Sequence, residues 1–124
     1  MNARRLFKED QINAWLGEET RLEGGTLRFE GCLRIDGKVL DAALEGPALI
    51  IGEQARVTGR ITVEQLTVYG EADALARVAR EAWIAPGGVF EGEMELLEPV
   101  LTVDEGGRFQ GKVKTLSPAV PANS

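Results

Sequence analysis

Apolar and polar positions alternate along most of this chain, and the alternation is interrupted at near-regular intervals by a glycine. An apolar residue, a polar one, glycine, a polar one and a second apolar residue follow each other at Val57, Gly59 and Ile61, at Phe90, Gly92 and Met94, and at Phe109, Gly111 and Val113. Weaker copies surround Gly24, Asp41 and Ala74, and the six centres lie 17, 18, 15, 18 and 19 residues apart. A unit this short cannot bury an apolar face alone, so it must stack on its neighbours. Period-two segments at 27–29, 33–35, 49–51, 66–68 and 101–103 predict three short strands and three corners per repeat. Glycine suits such corners because it has no Cβ to obstruct a tight turn. The expected fold is all-β: a parallel β-helix, or β-solenoid, of about six short rungs over residues 20–115.

The two ends and one internal stretch depart from this pattern. Residues 1–19 read as an amino-terminal tail, in which 9–16 could form a short helix with Ile12, Trp15 and Leu16 on one side, stopped by Gly17. Residues 116–124 lack periodicity and read as a disordered tail. Residues 71–83 are alanine-rich, with Leu75, Val78 and Ala82 at helical spacing. A β-rung with small inward residues is the preferred reading there, because a helix would interrupt the stack midway. The centre of that repeat is Ala74 or Ala76.

Composition narrows the chemistry. The 124 residues amount to one domain with short tails, and a net charge of −6 argues against nucleic acid, which needs a clustered basic surface. There is no histidine and only one cysteine, Cys32. Zinc sites of the usual kind and Ser-His-Asp or Cys-His nucleophiles therefore cannot be assembled, and no phosphate-cradling glycine motif is present. No catalytic, metal or cofactor site is expected, and no nucleotide. Acyltransferases and carbonic anhydrases built on hexapeptide coils depend on histidine and on strict six-residue spacing, both missing here. The lone cysteine suits a reducing cytoplasm. Cys32 itself reads as a small buried or half-buried residue, and Trp83 as packed against a face. Glu91, Glu93, Glu95, Asp104 and Glu105 read as solvated strand faces.

The order of residues from Leu16 to Val113 resembles the bactofilins, bacterial cytoskeletal proteins. The strongest block runs from Leu27 through Phe29, Glu30, Gly31, Leu33, Arg34, Ile35, Asp36 and Gly37 to Val39. It continues in 49–59 and 100–111, while Asp41 and Ala74 stand where the family usually has glycine. The resemblance implies a right-handed, roughly triangular β-helix that polymerises end-to-end, without nucleotide, into non-polar filaments. It implies a scaffold at the inner face of the cytoplasmic membrane that localises cell-wall enzymes or other partners, a paralogous bactofilin among them, and influences cell shape. The alternative is a non-polymerising β-helical adaptor, monomer or dimer, that recruits a membrane or cell-wall enzyme.

Candidate sites follow from what a solenoid leaves uncovered. Terminal rungs expose strand edges and an apolar cross-section, which invite another copy of the chain unless a cap covers them. At the carboxyl end Phe109 and Val113 are expected at the interface, Phe109 matching the family's terminal aromatic region. At the amino end Leu22, Leu27 and Phe29 should line the first rung, either as the opposite interface or beneath a cap formed by residues 6–16. Arg4, Arg5, Leu6, Phe7 and Lys8 read as a membrane-contact segment, with three cations for anionic head groups and two apolar residues for insertion.

Overall fold

The computed structural model describes residues 12–98 and 100–115. Ten strands wind into a coil: β1 (Ile12–Leu16), β2 (Arg21–Glu23), β3 (Thr26–Arg28), β4 (Cys32–Ile35), β5 (Lys38–Ile51), β6 (Arg56–Val68), β7 (Glu71–Ile84), β8 (Val89–Leu96), β9 (Leu101–Val103) and β10 (Arg108–Thr115). Every pairing among them is parallel, and each joins a strand to the one a full turn away. Six rungs result, over residues 12–28, 32–45, 48–63, 65–78, 82–96 and 101–115. The long strands β5, β6 and β7 bend round the corners, so each contributes to more than one wall.

Three walls stack in strict register. In wall A, Leu16, Ile35, Ile51, Val68, Ile84 and Val103 lie one above another. Leu22, Val39, Val57, Ala72, Phe90 and Phe109 do the same in wall B. Wall C stacks Leu27, Leu44, Ile61, Ala76, Met94 and Val113. In rungs two to five these columns are buried and form one continuous interior cluster. The period-two alternation thus sends every second side chain inward and its neighbour outward.

The corner between walls B and C explains the recurring glycine. Gly59, Gly92 and Gly111 have φ of +122°, +120° and +138°, and a Cβ on any of them would run into a backbone carbonyl of the preceding rung. At Asp41 the chain solves the same corner differently. Asp41 is an extra residue in the ladder between Val39 and Ala42, with φ of +56°, and Ala42 is the residue that pairs with Gly59. Its N–H donates to the Thr58 hydroxyl at 2.9 Å. Short polar residues tolerate this left-handed geometry better than others do.

The alanine-rich stretch is strand throughout, as β7, and Ala74 is the corner partner of both Gly59 and Gly92. Its small residues have a packing reason. Ala72 and Ala76 lie directly beneath Phe90 and Met94, all four buried, so a thin layer compensates a thick one at interior density.

The expected helix over 9–16 is not formed in its described part. Ile12–Leu16 is instead strand β1, parallel to β4. Ala14 and Leu16 pack on the interior cluster, whereas the Asn13 side-chain oxygen accepts the Cys32 N–H at 2.9 Å across a bulge. Tertiary pairing overrides a weak helical preference here. Among the described residues the coil thus already includes Ile12–Leu16, ahead of the expected residue 20.

Candidate functional site: the two open ends

Rung one is assembled from β1, β2 and β3, which pair only downward, to β4 and β5, among the described residues. Among the described residues their opposite edges have no strand partner, and such an edge is a template for another strand. Leu22, Leu27 and Phe29 are half-buried and pack on the interior from above. The Phe29 ring lies over Gly46, where a Cβ would collide with it. Ala14 and Leu16 complete this apolar cross-section. Both belong to the strand that alternation alone did not single out.

Rung six mirrors this at the other end. Among the described residues β9 and β10 pair only with β7 and β8. Phe109 is half-buried: one face stacks on Phe90, with centroids 5.2 Å apart and planes 9° from parallel, and the ring belongs to the last rung. Val113 is 43% exposed, and Val103 and Val100, each 41% exposed, extend the same apolar end. Leu101 packs beside them on the interior. The structure thus gathers Phe109 and Val113 at one end and Leu22, Leu27 and Phe29 at the other. Arg4, Arg5, Leu6, Phe7 and Lys8 lie outside the described residues, as does most of the suggested cap at 6–16.

Both ends are tied down by a tryptophan–aspartate pair. Trp15 in rung one donates its indole N–H to Asp36 at the first corner of rung two. Trp83 in rung five donates to Asp104 of rung six at 2.8 Å. Asp36 is 6% exposed and also receives the Arg34 guanidinium on both oxygens, at 2.9 and 3.1 Å. Burial alone would raise the Asp36 carboxyl, but the hydrogen bonds from Arg34 and Trp15 and the Arg34 charge outweigh it. The net effect holds the group below the usual carboxylate range.

Of the five carboxylates expected on solvated strand faces, Glu91 and Glu105 are exposed, whereas Glu93, Glu95 and Asp104 are half-buried, Glu95 pairing with Arg77 and Asp104 taking the Trp83 N–H. Cross-rung ion pairs Arg28–Glu45, Arg56–Glu71 and Arg77–Glu95, at 2.9, 2.8 and 3.0 Å, join register neighbours on the outer surface. Pairs this exposed contribute little each. Among the described residues no group of three or more His, Cys, Asp or Glu side chains could hold a metal.

The profile of the family described as "Bactofilin: Polymer-forming cytoskeletal" matches residues 14–114. Among solved structures, the chain is similar to the Thermus thermophilus bactofilin, determined by cryo-EM as double helical filaments. The TM-score is 0.69 at 23% identity, over 83% of this chain and 99% of that one, a likeness of fold. No curated protein matches. With the six-rung coil and the family match over residues 14–114, this chain belongs to the bactofilin family, which is cytoskeletal and not enzymatic.

Proposed function

We propose that this protein is a scaffold subunit that polymerises end-to-end, without nucleotide, through the first and last rungs of its coil. The observation that carries the reading is that both ends are open among the described residues. Each presents unpaired strand edges around an apolar centre: Leu22, Leu27 and Phe29 at one, Phe109 and Val113 at the other. Stacking a second copy on either end continues the ladder hydrogen bonds and covers the half-buried side chains, the same two gains that hold one rung on the next. The Thermus protein's filaments support the reading.

Head-to-head and tail-to-tail joining gives a filament without polarity, and a right-handed coil is the hand that parallel crossovers favour. Membrane contact through Arg4, Arg5, Leu6, Phe7 and Lys8 adds to this reading. One such segment binds a bilayer weakly, but a polymer repeats it and gains by avidity. The partners are other copies of the chain, the inner face of the cytoplasmic membrane, and cell-wall enzymes or a paralogous bactofilin held along the filament.

Negative-stain electron microscopy in nucleotide-free buffer, with sedimentation across a concentration series, tests the assembly. Smooth unbranched filaments are expected. Persistent small particles at every concentration would replace the polymer with a monomeric or dimeric adaptor. Vesicle flotation of the full chain against one lacking residues 1–8 tests the membrane contact, and equal flotation would remove it.

A further inference from the structure

Each turn of the coil climbs one strand spacing, about 4.8 Å, so each wall stands about 1.6 Å further along the axis than the wall before it. The described chain passes wall A, then wall B, then wall C in both terminal rungs: β1, β2 and β3 in rung one, β9 and then β10 in rung six. Neither end is therefore flat. Wall B is the middle step at each, with Leu22 at its centre in rung one and Phe109 at its centre in rung six. Exposed side chains flank these centres. Arg21 and Glu23 flank Leu22, Arg108 and Gln110 flank Phe109, and Lys112 and Lys114 flank Val113 on wall C.

We propose that both joints between copies of this chain are two-fold about wall B, with Leu22 facing Leu22 of the second copy at the head joint and Phe109 facing Phe109 at the tail joint. This rests on the end-to-end reading above and adds the register that it leaves open. A two-fold axis across the coil reverses strand direction, so the meeting edges run antiparallel and their contacts are reciprocal. The wall that the axis crosses meets its own copy, and the other two walls exchange. With the axis through wall B, wall A meets wall C, one about 1.6 Å low and the other about 1.6 Å high, so all three gaps are equal. With the axis through wall A or wall C, at least one gap is wider than the closest by about 4.8 Å, and ladder hydrogen bonds are not made there.

Charge selects the same register. About wall B, Arg21 lies opposite Glu23 of the second copy, twice per head joint, and Arg108 lies opposite the neutral Gln110 at the tail joint. About wall A, Arg21 would oppose Arg28, and Arg108 would oppose Lys114. About wall C, Lys112 would oppose Lys114, and the corner residues Glu18 and Glu19 would meet their own copies. Like charges directly opposite destabilise a strand pair, and opposite charges stabilise it. The backbone of rung one agrees. The Thr20 C=O accepts from Lys38 and the Gly24 N–H donates to Leu40, both in rung two. By alternation Arg21 and Glu23 turn their own N–H and C=O groups to the open end, where an antiparallel copy can exchange both bonds with them.

Cysteine cross-linking in a Cys32→Ala background reads the register, since Cys32 is the only native cysteine. Subunits carrying Arg21→Cys are mixed with subunits carrying Glu23→Cys, and Arg108→Cys with Gln110→Cys, and oxidised after assembly. Residues directly opposite in an antiparallel pair are within disulfide reach. Each mixture should give covalent dimers, at least ten-fold more than either variant alone. The rival registers are read by Arg21→Cys with Arg28→Cys, Arg108→Cys with Lys114→Cys, and Lys112→Cys with Lys114→Cys, which should stay unlinked. Filaments with dimers in a rival pair, or in no pair, would overturn the register and leave the end-to-end reading standing. Unaltered protein that stays as small particles in electron micrographs would overturn both. Every position changed in these pairs is exposed, so each variant should keep its cooperative thermal transition.

Arg21→Glu and Glu23→Arg test the head joint a second way. Each alone sets like charges opposite and should lower the sedimenting fraction at least three-fold. Mixed one to one they should restore it, because acidic ends then meet basic ends. The mixture does not restore the Arg21–Glu23 contact within a subunit, 2.5 Å long, so recovery reports the joint alone. A mixture that sediments no better than its components would overturn the head register.

Discussion

Trp83 donates its indole hydrogen to Asp104, the same relationship that Trp15 has to Asp36, and in both pairs the partners stand 21 residues apart. One pair ties rung one to rung two and the other ties rung five to rung six. The tryptophan occupies an equivalent outward place on wall A each time, and the aspartate follows the same wall one turn on. Terminal rungs have a neighbour on only one side, so a side-chain tie there replaces part of what an inner rung obtains from two.

Replacing Asp36 with Asn should lower stability at pH 7 by about 1–3 kcal/mol, because a buried charge-assisted contact to Arg34 is lost. The pH dependence has a definite sign. Asp36 has a folded-state pKa below its unfolded value of about 3.9, so its contribution is fully present above that value. It is lost as pH falls through the folded-state pKa. Urea unfolding at pH 7 and pH 3 should therefore show a smaller loss on acidification in Asp36→Asn than in the unaltered protein.

Phe109→Arg places a charge at the apolar end while leaving rungs one to four untouched. Filaments should disappear from micrographs and the sedimenting fraction should fall at least ten-fold. The loss of the Phe90 stack should cost the subunit only about 1–3 kcal/mol. Unchanged filaments would exclude this end as an interface.

Gly59→Ala combines a φ of +122° with a collision against the Ala42 carbonyl. It should destabilise by about 2–4 kcal/mol in denaturant unfolding. Gly24→Ala is the contrast: φ is +75° but nothing lies within 4 Å of the new Cβ, so about 1 kcal/mol is expected.

Ala72→Phe should cost about 1–3 kcal/mol or more through overpacking, and Phe90→Ala about 3–5 kcal/mol through a cavity. Because the two are register neighbours in wall B, the double variant should recover a good part of the combined loss. Strict additivity of the two penalties would mean that the thin and thick layers do not compensate.

The coil was legible because its signal is collective. Gly59, Gly92 and Gly111 mark one corner three times, and only the alanine-rich stretch at 71–83 between them also fitted a helix. Asp41 was legible only to within a residue, since a bulge shifts the true pairing to Ala42 and a single sequence does not record an extra unpaired position. Strand β1 was missed because Ile12, Trp15 and Leu16 satisfy helical spacing, while its real alternation, Ile12, Ala14, Leu16, includes an inconspicuous alanine. The tryptophan–aspartate ties were missed because their separation exceeds the repeat by a few residues. The signal available was the equivalent placement of Trp15 and Trp83 in their rungs. At the ends, Phe109 and Leu22 were recognisable from rung order alone, whereas Val103 needed the exposed geometry of the last rung.

Equal rungs also make the molecule a unit of length. Six strands at about 4.8 Å give each subunit a step of about 29 Å along the coil axis. In an end-to-end polymer that step sets the density at which terminal segments are presented, at one pair of tails for every subunit. Adding or removing one inner turn would change the step by a single strand spacing while leaving both ends chemically unaltered. If the chain joins end to end as proposed, spacing and assembly are separable, the first held by the number of inner rungs and the second by the outermost two.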